Sequence, residues 1–282
     1  MSRFATISEL NAVVGEVRRQ QVMDIVRGGI FVGAFLLAWI SLHPFEDLSN
    51  MQIGEVTSGN EIPTYAAFGG LAVLTVALAA RDNIRGLATL LSPSFLLFAG
   101  WLCVTVLLSF DPSTSIRRFS LTVCVIAVTA SLPLLVKSQA EIMRWLSIAA
   151  LVLLATCYLG ILLAPHLTIH LATDPQEPGL AGNWRGSFGH KNVAAAVMAM
   201  LLFLGIYLAR AGSRLLGAAV IVLASVFLMK CAGKTSSGLI FVVLALTSLT
   251  SIIRSFALRT ICLLYTSPSP RDRTRSRMPS SA

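Results

Sequence analysis

Eight consecutive residues near the middle of the chain, Arg185-Gly186-Ser187-Phe188-Gly189-His190-Lys191-Asn192, hold a guanidinium, an imidazole, an ammonium and a carboxamide. Such a group can grip an anion. A guanidinium offers a planar two-point contact to phosphate oxygens, an ammonium adds a point charge, and an imidazole titrates near neutrality. Gly186 and Gly189 permit backbone turns closed to other residues. An apolar run begins directly after Asn192. The spacing predicts a helix opening there, with its N-terminal amides and positive dipole end directed at the cluster. Arg185 is then the main contact to a phosphate or diphosphate, with Lys191 and Asn192 beside it. His190 orients substrate or handles a proton. Lys230 and Lys234 are candidates for a second phosphate contact.

Plainer roles stand beside these. The same cations can meet lipid headgroups from an interfacial loop. Asn192 can cap the helix, and Trp184 can anchor the chain at the interface rather than stack on a sugar. His166 and His170 are four apart, as two ligands on one helix face would be, but no third ligand accompanies them, so no metal is expected. Gly233-Lys234-Thr235 resembles a fragment of a phosphate loop, yet the glycine that pattern needs five positions earlier is Leu228, in an apolar run. The cysteines show no metal-ligand spacing, and no cofactor is implied.

The elements that must position these residues are membrane helices. The 282 residues are 55% hydrophobic and 12% charged, with mean hydropathy +0.78. A water-soluble fold of this size has about twice that share of charge. The apolar runs are continuous and lack the alternation of outer-membrane strands. The fold expected is all-α, a polytopic transmembrane bundle of about eight helices near residues 28–45, 64–80, 93–110, 119–136, 145–165, 193–209, 215–229 and 239–253. A polar lead over residues 1–27 precedes them, with Thr6 and Glu9 at capping-box spacing, and is expected to form an amphipathic helix. No cleavable leader is expected, because the first two dozen residues are polar.

The net charge of +9 does not point to nucleic acid, because the basic residues are scattered through short loops. They read as topology signals. With the N-terminus in the cytoplasm, twelve Lys and Arg fall inside, against six outside: Arg117, Arg118, Arg185, Lys191, Lys230 and Lys234. The cluster then faces away from the cytoplasm. From Cys262 the sequence reads CLLYTSPSPRD and ends in a Ser/Arg tail, an abrupt change of composition that looks like the translation of a sequencing adapter. Residues 262–282 are therefore set aside as non-native. The transmembrane domain is taken as 28–261 with its outer loop at 166–192, and the natural chain is expected to continue beyond it.

The run Trp184 to Asn192, preceded by Ile169-His170 and Ala172-Thr173-Asp174, resembles the bacterial O-antigen ligase and polysaccharide polymerase family, above all its exopolysaccharide-production branch. Lys230 to Ser237 resembles that family's Ser/Lys-Thr segment more weakly. The resemblance implies an inner-membrane enzyme that transfers a glycan from an undecaprenyl-diphosphate carrier to an acceptor sugar on the periplasmic side. The lipid bilayer and other polysaccharide-synthesis membrane proteins are the implied partners. Arg185 and His190 are the implied catalytic residues, with Arg185, Lys191, Asn192 and Lys234 on the diphosphate. Full members carry a large later periplasmic loop with further Arg and His, so this stretch alone is expected to be inactive. The alternatives are a transporter or flippase of an anionic lipid-linked solute, and a structural membrane subunit. Transport predicts ionisable groups at mid-membrane, which the apolar runs lack.

Overall fold

A computed structural model describes residues 7–40, 44–45, 47–48, 62–174 and 178–252. Thr6 and the Ser/Arg tail lie outside the described residues. The chain divides into two units, Met1–Ala232 and Gly233–Ala282. The first holds helices α1 (Ile7–Ile40), α2 (Ile62–Leu90), α3 (Pro93–Leu107), α4 (Pro112–Ser131), α5 (Gln139–Leu163), α6 (Lys191–Arg210) and α7 (Arg214–Cys231). The second holds α8 (Lys234–Ile252). Among the described residues there is no strand, only an isolated antiparallel bridge between Ile169 and Trp184.

Six helices are long and apolar enough to cross a membrane: α1 from Val14, α2, α4 with the 3-10 turn that follows it, α5, α6 and α7. Helix α3 and the apolar part of α8, Lys234–Leu249, are shorter. The 15 residues of α3 rise about 22 Å, against roughly 30 Å of hydrocarbon. The fold is thus an all-α, multi-pass membrane bundle, and each of the eight expected runs corresponds to a helix.

Several ends differ from those expected, each for a local reason. The polar lead and the first apolar run form one helix, since nothing between them breaks it. Helix α2 continues to Leu90 across a kink at Asn83, whose φ of −149° and ψ of 63° leave the helical region. The Asn83 carboxamide accepts a hydrogen bond from the Gly86 amide at 2.8 Å, so it restarts the helix as a cap does. Helix α4 starts seven residues before the expected span because Asp111 caps it, accepting from the Thr114 amide at 3.2 Å. Hydrogen bonding from the Thr114 side chain, and then from its amide, holds the Asp111 carboxyl below its ordinary pKa. Arg117 and Arg118 consequently sit exposed on α4 rather than in a loop.

An ionic cluster fixes one end of the bundle. Arg27 of α1, which is 7% exposed, donates to Asp82 of α2 and to Asp24 at 3.3 Å. Lys137, just before α5, donates to the same Asp24 oxygen at 2.7 Å. Asp24 and Arg27 of α1, the end of the main part of α2 and the start of α5 therefore lie at one level. Helix α5 carries the chain from that level about 37 Å to the opposite end. There the loop 164–190 begins, and α6 brings the chain back.

Helices α6 and α7 form a tight hairpin. A Cβ on Gly217 would lie 2.6 Å from the Gly205 carbonyl oxygen and 2.5 Å from the Ala209 amide nitrogen, so the two backbones touch. Small residues at a helix contact permit this approach, and in lipid the gain is close packing. The hairpin returns the end of α7, with Lys230, to the level where α6 begins.

Candidate functional site

The connection between α5 and α6 is a folded platform, not an open loop. Helix α5 ends at Leu163, and Pro165–Leu167 makes one 3-10 turn. The chain then pairs with its own later part. The His170 amide donates to the Asn183 carbonyl at 3.0 Å, and the Gly182 amide donates to the His170 carbonyl at 2.9 Å. The amides of Arg185 and Gly186 both donate to the Thr168 carbonyl, at 2.8 and 2.9 Å. The Trp184 amide donates to the Lys230 carbonyl at 3.1 Å, which ties the platform to the end of α7. Buried backbone polar groups at this depth are thus satisfied by the loop's own pairing.

Residues Arg185, Gly186, Ser187 and Phe188 are all buried. Gly186 has a φ of +61°, and a Cβ there would meet the Phe227 ring at 2.9 Å and the Cys157 sulfur at 3.0 Å. Only glycine meets both demands. Gly189 has no such constraint, with nothing within 4 Å of a built Cβ. Beside the buried turn, the Trp184 ring packs edge-on against Tyr158 and Phe227, with centroids 6.0 and 5.4 Å away. The Lys230 ammonium lies 6.0 Å from the Trp184 ring centre.

The expected site residues fall into two sets. Arg185 is 1% exposed, and one of its terminal nitrogens donates to the Phe188 carbonyl at 3.4 Å. It lies beneath the platform's surface. His190 and Lys191 are half-buried at its rim, and Asn192 is exposed. Helix α6 opens at Lys191, close to where the sequence places it. Its cap is His190 rather than Asn192: the His190 Nδ1 accepts from the Asn192 amide at 3.0 Å. The Lys191 ammonium makes no hydrogen bond or ion pair among the described residues. Lys234 is exposed at the start of α8, in the second unit.

The structure adds two residues to the cluster. His170 is 3% exposed, with Nδ1 3.2 Å from a carboxylate oxygen of Asp174. Its Nε2 accepts a hydrogen bond from the Lys191 amide at 3.3 Å, so the ring proton sits on Nδ1 and is donated to Asp174. The same Asp174 oxygen accepts from the Leu171 amide at 3.0 Å. Burial pushes the His170 pKa below its ordinary value. The Asp174 hydrogen bond opposes that shift, and the nearby charges of Arg185 and His190 reinforce it. The His170 and His190 rings stand 5.5 Å apart, edge to face. The i,i+4 spacing of His170 and Asp174 was the available signal, but it is indistinguishable in sequence from that of His166 and His170. His166 lies exposed in the 3-10 turn and shares no helix face with His170. Among the described residues no group of three or more His, Cys, Asp or Glu is placed to hold a metal.

The cluster sits on the face of the bundle opposite the Arg27–Asp82 network and is an assembly of cations around one helix N-terminus. The fold that carries it defines a multi-pass α-helical membrane protein. No protein-family model, curated protein or solved structure matches the chain.

Proposed function

We propose that the platform binds the diphosphate of a polyprenol-linked glycan, and that the protein acts as a glycan polymerase or ligase of the O-antigen ligase type. In this reading an acceptor hydroxyl attacks the anomeric carbon of the carrier-bound sugar and gives its proton to the His190 imidazole. The bond from that carbon to the diphosphate oxygen breaks, and the polyprenyl diphosphate leaves with its electron pair. The observation that supports the reading best is the Lys191 ammonium, unpartnered among the described residues, at the N-terminus of α6 with His190 beside it and Arg185 beneath. An anion placed there meets the ammonium and the helix dipole together. Arg185 then acts from below, holding the turn and adding positive field, while Lys191 and His190 make the contacts. Lys234, exposed at the start of α8, is kept as the candidate for a second phosphate contact.

The basic-residue distribution orients the bundle with the Arg27 end in the cytoplasm and the platform in the periplasm of a bacterial inner membrane. The buried cation Arg27 is paired with Asp82 and Asp24, level with the start of α5 and the end of the main part of α2. That arrangement supports a surface site over a transport path.

The test is carried out in membranes from cells expressing the full natural gene. Lys191→Ala and Arg185→Lys are compared with the parent for polymer or ligated-glycan formation, normalised to protein abundance. Loss of product at unchanged abundance supports the assignment. Full product from both variants overturns it, and a solute-uptake defect without a glycan defect favours a transporter.

A further inference from the structure

A groove lies between α1 and α5 at the other end of the bundle. The groove has a volume of about 760 Å³ and is charged at one end and apolar at the other. Asp24, Glu141 and Arg144 line the charged end, while Gly29, Gly33 and Trp145 line the rest. The charges around the mouth pair unevenly. Arg27 is neutralised by Asp82 and Asp24, and Lys137 by Asp24. Arg144 is exposed and makes no ion pair among the described residues. The Glu141 carboxylate accepts only a backbone hydrogen bond, from the Lys137 amide at 2.8 Å. One cation and one anion thus remain three residues apart on a single helical turn of α5, facing the same groove.

The geometry points to a bound phosphatidylethanolamine, with its phosphate on Arg144, its ammonium on Glu141, and an acyl chain along the glycine side of α1. A zwitterion matches the one free charge of each sign, whereas an anionic lipid leaves Glu141 opposed to it. A primary ammonium donates hydrogen bonds to carboxylates, which a choline headgroup cannot do. The apolar half is open where the chain would lie. A Cβ built on Gly29 or Gly33 meets nothing within 4 Å, and Trp145, 6% exposed and 5.4 Å from the Phe31 ring, closes the floor. The site is independent of the platform on the opposite face.

The test is lipid retention by the full chain. Purified protein is equilibrated with micelles containing equal phosphatidylethanolamine, phosphatidylglycerol and phosphatidylcholine, and bound lipid is counted by native mass spectrometry. The ethanolamine lipid is expected to be retained about tenfold over each of the others. Arg144→Ala, Glu141→Gln and Gly33→Leu are each expected to bring the ratio to near parity. The melting temperature is measured for every variant, and the comparison uses those that melt as the parent does. A photo-crosslinker at position 29 of the otherwise unchanged chain gives a second readout and is expected to capture lipid. Equal retention of all three lipids, an unchanged ratio in the variants, or capture of another protein in place of lipid would each overturn the proposal.

Discussion

His170 carries its hydrogen on Nδ1, toward Asp174, and offers Nε2 to the Lys191 amide. Protonation would place a second hydrogen where that amide donates, and burial already disfavours the charged ring. Its folded pKa lies below the ordinary value of about 6.5, so the unfolded chain binds the proton more readily. The stability this provides is complete above the unfolded pKa and is lost as pH falls through it toward the lowered folded one. Melting temperature measured from pH 8 to pH 5 is expected to drop for the parent and to drop less for His170→Gln. Equal slopes would contradict the assignment. Asp174→Asn replaces the carboxylate that joins His170 to Leu171 and is expected to cost about 1–3 kcal/mol in thermal or denaturant unfolding. Arg185 and Lys191 separate by the same logic. Lys191→Ala is expected to leave stability unchanged and lower glycan product about 10²-fold. Arg185→Ala, which empties a fully buried site, is expected to lower both.

At the scale of elements, the platform depends on a turn that only glycine fills. Gly186→Ala combines a φ of +61° with contacts of 2.9 and 3.0 Å to Phe227 and Cys157, and is expected to cost about 1–3 kcal/mol by thermal unfolding. Gly189→Ala meets open space and is expected to be close to neutral. Equal effects would mean that the turn does not organise the platform. The contrast also shows what the sequence reveals. Apolar runs of spanning length announce the helices, because lipid leaves the backbone few other choices. The start of α6 was legible from the polar-to-apolar change at Asn192. The cap was not, because His190 is an uncommon capping residue and Asn192 a favoured one. Nor was the burial of Arg185, since a loop rich in cations reads as a wet surface until its backbone pairing to Thr168 and its packing on Cys157 and Phe227 are seen. The His170–Asp174 pair stayed hidden for a similar reason. The sequence does not show that the chain folds away from His166 after the 3-10 turn.

On the scale of the whole molecule, two chemically distinct ends are held apart by α5. The Arg27–Asp82–Asp24–Lys137 network marks one, and the platform marks the other. In sealed right-side-out vesicles of a chain freed of its own cysteines, a cysteine at position 189 is expected to react with an impermeant maleimide. A cysteine at position 85 is expected to react only after the membrane is opened. Reaction of both from one side would contradict the crossing pattern of α1 to α5. The central claim is that the cations at the start of α6 hold a polyprenyl diphosphate. The most direct measurement is photo-crosslinking of a labelled polyprenyl diphosphate to the full-length protein in membranes, followed by mapping of the modified peptide. The account predicts label between Trp184 and Asn192, competed by unlabelled diphosphate and lost in Lys191→Ala. Label confined to other segments, or undiminished by that substitution, would contradict it.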